Sequence, residues 1–254
     1  MSDKVERALR ALASDLERAL GDRLVSLVVY GSMARGTHVP GRSDVNLLLI
    51  VTDASAPTLQ LMAQALAAWG KAGHTPPLIH TPAEWAASAD VYPLEIEDIR
   101  EAHRVLAGRD PVEGLVTSRA DRARELEHQA RGLLLRLRGR YSAATGDGRA
   151  LARLLVDAAG PVIVCGRAAL RLAGRPVPAD PSAVAADVAA LARFDAAGLV
   201  WACQARTEGR TPRLEPDDAR AASFLAGVER LVAWVNETSD KEQDVSNSNG
   251  GDTT

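Results

Sequence analysis

Residues Leu27 to Val51 read LVVYGSMARGTHVPGRSDVNLLLIV. The apolar opening, extended back to Leu24 as LVSLVVY, is rich in β-branched and aromatic residues and too short to favour a helix, which predicts a buried strand over 24–30. Gly31-Ser32 ends that strand and a helix begins near Met33. After the Gly- and Pro-containing loop Thr37–Ser43, the segment Asp44–Val51 (DVNLLLIV) reads as a second strand. It is apolar almost throughout, so cover on both faces is expected. Gly31 allows a tight turn and a close approach of backbone to a ligand. The N–H groups at the helix start that follows form a seat for phosphate oxygens, and Ser32 can donate one more hydrogen bond. Side chains alternate along a strand, so Asp44 and Asn46 share a face about 7 Å apart, where they could hold a cation against those phosphates.

In order and spacing, Gly31, Ser32, Ala34, Arg35, Gly36, Ser43, Asp44 and Asn46 resemble the signature of the DNA polymerase β-type nucleotidyltransferase superfamily. Residues 91–111, VYPLEIEDIREAHRVLAGRDP, followed by helical sequence, look like the aminoglycoside nucleotidyltransferase-like branch, which includes the kanamycin and streptomycin-spectinomycin adenylyltransferases. The resemblance implies an α+β nucleotidyltransferase domain, a small mixed sheet flanked by helices, followed by an all-α helical bundle. It also implies transfer of NMP from an NTP, ATP first among them, to an acceptor hydroxyl, with Mg²⁺ or Mn²⁺ as cofactor. By the same resemblance Asp44 is a metal ligand and Gly31 and Ser32 hold phosphates. Arg35, Arg42 and Ser43 belong to the nucleotide pocket, although Arg35 has bracing the loop as an alternative role. A third carboxylate from a neighbouring strand is expected as metal ligand or general base. Glu95 matches it best, with Glu97 on the same strand face as the fallback.

Asn46 departs from the family pattern, which has aspartate there. Nucleotidyl transfer relies on carboxylates to hold Mg²⁺ and offset developing charge, and a neutral amide is a weaker ligand for a hard cation. At ~1.4 kcal/mol per tenfold, one missing carboxylate can cost several orders of magnitude in rate. Two readings follow: an active nucleotidyltransferase, or a protein that keeps the fold and binds nucleotide or a partner without turnover. Glu95 and Glu97 together could restore a three-acid site with Asp44. Asp53 lies too far along the same strand, at ~3.3 Å rise per residue, to replace Asn46.

Around this centre, Val5, Leu9, Leu12, Leu16 and Leu20 predict a helix over 4–20, and Leu59, Met62, Leu66 and Trp69 another between Pro57 and Gly70. Thr81-Pro-Ala-Glu84 is a capping box that starts a short helix. Leu94 and Ile96 alternate with Glu95 and Glu97 as a short edge strand, and a helix is expected over 101–107. From Arg119 onward the periodicity is helical only, with Gly160-Pro161 expected to break or kink one segment. The domain reading is 1–114, 115–237 and an unstructured tail over 238–254.

Arginine crowds the first bundle segment, where Asp121, Glu125 and Glu127 favour a solvated face laced with ion pairs. The resemblance offers Glu125 or Glu127 as an acid facing the acceptor. Arg122 and His128 loosely match the Arg-x(4-6)-His pattern of helical ribonucleases, but with Ala123 where a polar residue belongs.

Composition narrows the class. The chain has 254 residues, 46% hydrophobic and 25% charged, which suits one large domain or two modest ones and excludes a fibrous chain or wholesale disorder. No apolar run approaches the ~18 to 20 residues of a membrane span, and the charged N-terminus does not read as a signal peptide, so a cytoplasmic protein with no membrane partner is expected. Cys165 and Cys203 make neither a metal motif nor a disulfide scaffold. The net charge of -3 conceals -4 over 1–114, +4 over 115–237 and -3 beyond. The expected partners are a nucleoside triphosphate and an acceptor left open between small molecule, protein and RNA. A homodimer is left open too.

Overall fold

A computed structural model of the chain describes residues 3–39, 41, 43–215 and 217–249. Two compact units divide it, Met1–Thr117 and Ser118–Thr254. In the first unit the elements run α1 (Asp3–Leu20), β1 (Leu24–Tyr30), α2 (Ser32–Arg35), β2 (Asn46–Val51), α3 (Ala56–Lys71), β3 (Leu78–His80), α4 (Pro82–Ala87), α5 (Pro93–Glu101) and β4 (His103–Gly108). The sheet order is β3-β2-β1-β4. β1 is antiparallel to both β2 and β4, and β2 is parallel to β3, so the sheet is mixed.

Period-two alternation divides β1 and β2 between two cores. Leu27, Val29, Leu47, Leu49 and Val51 pack against Leu9, Leu12 and Leu16 of α1 and Met62 and Trp69 of α3. Val28, Tyr30, Leu48 and Ile50 face the other way, onto Trp85 of α4 and Ile96 and Ile99 of α5. The double cover expected for the second strand is therefore present, and it explains why LLLIV carries no polar residue.

Two expectations need correction. Residues 93–101, read as an edge strand, form helix α5. Pro93 occupies its first turn, where a missing N–H costs nothing, and Glu95 in that turn complements the helix dipole. Ile96 and Ile99, both fully buried, set a helical spacing that the short alternation before them obscured. Residues 103–108, read as part of a helix, form strand β4. β1 has two pairing edges and β2 covers only one. Pairing with the other edge overrides helix propensity. Gly108 sits so close to β1 that a Cβ there would lie 2.2 Å from the Val25 carbonyl oxygen.

The second unit is helical: α6 (Arg119–Ala144), α7 (Gly148–Leu172), α8 (Pro181–Ala192), α9 (Ala197–Thr207) and α10 (Ala219–Asn249). Its core joins Leu126 and Leu137, Leu155 and Leu170, Val184, Leu199, Phe224 and Val235. Pro161 does not break α7, which runs through it. Asp180 accepts from the Ala183 N–H and caps the start of α8. α9 and α10 meet at backbone contact, because a Cβ on Gly198 would lie 2.2 Å from the Arg220 carbonyl oxygen. α10 runs to Asn249, past residue 238 where a tail was expected, and residues 250–254 lie outside the described residues. Among the described residues, no helix is long and apolar enough to cross a membrane.

Candidate functional site

β1 delivers Tyr30 into Gly31, whose φ of 71° and ψ of -139° suit glycine. A Cβ at Gly31 would lie 3.2 Å from Asn46 Nδ2 and 4.0 Å from Asp98 Oδ2, so three elements converge on the space that its missing side chain leaves. The one-turn helix α2 follows, closed at Gly36, where φ is 74°. Its leading N–H groups have no partner within the turn, as at any helix start. Arg35 N–H donates to the Gly31 carbonyl at 2.9 Å, and Thr37 N–H to that of Ser32 at 2.9 Å.

Ser43 closes the loop that follows. Its N–H donates to the Val39 carbonyl at 2.9 Å, and its Oγ accepts from the Val39 N–H at 3.2 Å. This positions Asp44, which is exposed and lies just ahead of β2, while Asn46 opens the strand and pairs across the ladder with Tyr30. Arg42 lies outside the described residues. In the same loop the Nδ1 of His38 is buried without a hydrogen-bond partner among the described residues. Burial, then the neighbouring His74, lowers the pKa of His38, and Asp44 opposes them.

Arg35 resolves between its two expected roles toward the brace. Its Nη2 donates to Asp98 Oδ1 at 2.7 Å and its Nη1 to Asp98 Oδ2 at 3.1 Å, while Nη2 also reaches Glu101 Oε2 at 3.3 Å. Its side chain is 8% exposed. This bidentate pair ties α2 to α5 and commits the guanidinium to carboxylates.

Glu95 lies beside Tyr30 at the end of β1, on a different element from the one expected. It sits in the first turn of α5, not on a strand, and its Oε1 accepts from the Tyr30 hydroxyl at 2.5 Å. Burial, reinforced by the Glu95 charge, drives the Tyr30 phenol pKa well up, so the hydroxyl stays a donor. Glu97 does not share this position. Residues two apart on a helix point in widely different directions, and Glu97 takes Arg100 and Thr117 as partners instead. The strands that neighbour β2 are β1 and β3, and neither LVSLVVY nor LIH includes a carboxylate. Glu125 and Glu127 belong to the second unit, where Glu125 accepts from Gln129 at 2.6 Å and Glu127 pairs with Arg131 at 2.7 Å.

Sequence reading missed Asp98 and Tyr30. Asp98 lies one helical turn from Glu95, a relation visible only once 93–101 is read as a helix. Among the described residues, no group of three or more His, Cys, Asp or Glu side chains is gathered to hold a metal ion. Asp44 and Asn46 place one carboxylate and one amide two residues apart at the start of β2.

No protein-family model matches the chain, and no curated protein matches it. Among solved structures it is similar to spectinomycin adenyltransferase AAD(9) from Enterococcus faecialis, determined with ATP and spectinomycin. The TM-score is 0.56 at 11% identity, covering 89% of this chain and 98% of that one. At such identity the likeness is one of fold, and the chain therefore has the fold of a nucleotidyltransferase, an α+β domain followed by helices.

Proposed function

We propose that the chain binds a nucleoside triphosphate, ATP, together with Mg²⁺, at the turn after β1, and that it is impaired in transferring the nucleotidyl group. One observation carries the reading: β2 presents the amide Asn46, and its neighbour β3 presents no carboxylate. Bound Mg²⁺ would neutralise triphosphate charge, with Asp44 and the Asn46 amide oxygen as its protein ligands. The turn offers the N–H groups that follow Gly31 and the Ser32 hydroxyl to phosphate oxygens, while the Gly31 N–H itself donates to the Ala102 carbonyl at 3.2 Å. Arg35 contributes by holding that turn on α5, and Ser43 by closing the loop before Asp44.

An active transferase is the second reading. Glu95 and Asp98 favour it, one turn apart on α5 and facing the strand ends where Asn46 lies. In that reading Glu95 is the base for an acceptor hydroxyl, and the acceptor is a small molecule, a protein or RNA.

Titrating ATP with Mg²⁺ into the full chain is expected to give saturable binding, weakened at least about tenfold by Asp44→Ala. No saturable binding below about 1 mM ATP, or binding untouched by Asp44→Ala, would overturn the assignment of the site.

A further inference from the structure

The helical unit contains a second concavity, of about 350 Å³, between α6 and α7. Its floor is apolar: Leu133 from α6, and Pro161, Val164 and Cys165 from α7. Val164 is 47% exposed, and Leu135, 69% exposed, follows Gly132 by three residues on α6, so the apolar surface continues outward. Burial pushes the Cys165 thiol up to about 12, so this wall is a neutral sulfur and not a nucleophile.

The groove also contains a cation, Arg136, that makes no salt bridge among the described residues. Arg136 lies low across α6 because residue 132 is glycine, and a Cβ there would stand 3.2 Å from its Nη1. Its helix neighbours are paired, Arg131 with Glu127 and Arg138 with Glu229, both at 2.7 Å. Among the described residues no carboxylate pairs with Arg136. His128, one turn before Gly132, adds a ring nitrogen to the same rim. Glu125, the nearest acid on this stretch of α6, is occupied by Gln129 at 2.6 Å. An apolar floor with one guanidinium at the rim is the usual chemistry of a small-ligand pocket.

We propose that this groove is a binding site for a small anion with an apolar body, an alkyl or aryl carboxylate. The body lies on Leu133, Pro161 and Val164, and the carboxylate takes both edge N–H groups of Arg136. The site is confined to the helical unit and is independent of whether the first unit binds nucleotide.

The test is calorimetric titration of the full chain with decanoate and, separately, with decan-1-ol. Decanoate is expected to bind one to one, at least about tenfold more tightly than the alcohol. Arg136→Gln, at an exposed position where folding is not at stake, is expected to remove that preference, and Val164→Glu to weaken decanoate by a similar factor. Circular dichroism of both variants keeps misfolding separate from loss of the site. Equal affinity for acid and alcohol, unchanged decanoate binding in Arg136→Gln, or no saturable binding below about 1 mM would overturn the proposal. The last result, with a dimer in sedimentation, would assign the groove to a second copy of the chain.

Discussion

Asn46 keeps the shape of an aspartate and gives up its charge, which is the substitution that matters most for a cation site. Around it, the amide Nδ2 lies beside Gly31, and the nearby Asp98 is paired with Arg35. Removing Arg35 would leave Asp98 with a stranded charge that is 18% exposed, so Arg35→Ala is expected to destabilise the chain by about 3 kcal/mol in urea denaturation. Arg35→Lys should recover only part of that, because lysine lacks the fork that holds both carboxylate oxygens. At the start of α7, Asp147 accepts from the N–H groups of Ala150 and Arg149, and these bonds hold its carboxyl below the usual aspartate value of 3.8. The capping contribution is present above that value and is lost as the pH falls through the lower, folded one. The melting-temperature gap between wild type and Asp147→Ala should therefore be constant above about pH 5 and shrink toward pH 3.

Among the elements, α5 decides how the site is built, and its helical state was not legible in the sequence. Leu94-Glu95-Ile96-Glu97 alternates with period two, and four residues cannot separate that pattern from one face of a helix. Pro93 before them and Ile99 three residues after Ile96 favour the helix, and the sheet supplies the rest by burying both isoleucines on Tyr30 and Ile50. Ile96→Ala and Ile99→Ala are each expected to cost about 2 to 4 kcal/mol in equilibrium unfolding. The strand-turn-helix-loop-strand around Gly31 was legible because glycine, the capping turn and the apolar runs all point the same way. β4 was not, because its pairing edge belongs to a strand 73 or more residues earlier. In the helical unit, close approach dictates residue choice: Gly198→Ala forces a methyl into the backbone of α10 and should lower the melting temperature by several degrees. Of the seven arginines of α6, Arg124, Arg131 and Arg138 pair with Asp121, Glu127 and Glu229, so part of the segment's charge goes into ion pairing.

For the whole molecule, a net charge of -3 combines -4 over 1–114, +4 over 115–237 and -3 beyond, and several acids of the first unit are engaged. Glu95 is bonded to Tyr30, Glu97 to Arg100 and Asp98 to Arg35, which leaves Asp44 as the exposed carboxylate of the candidate site. A nucleotidyltransferase fold with this donor set should hold Mg²⁺ and ATP without turning them over. The most direct test is pyrophosphate release from ATP with Mg²⁺ or Mn²⁺ over a panel of acceptors, comparing wild type with Asn46→Asp. The expected result is nucleotide-dependent thermal stabilisation of both proteins, with no release from wild type above a reaction lacking protein. Steady release from wild type that Asp44→Ala abolishes would contradict the account and establish an active transferase working with an amide at position 46.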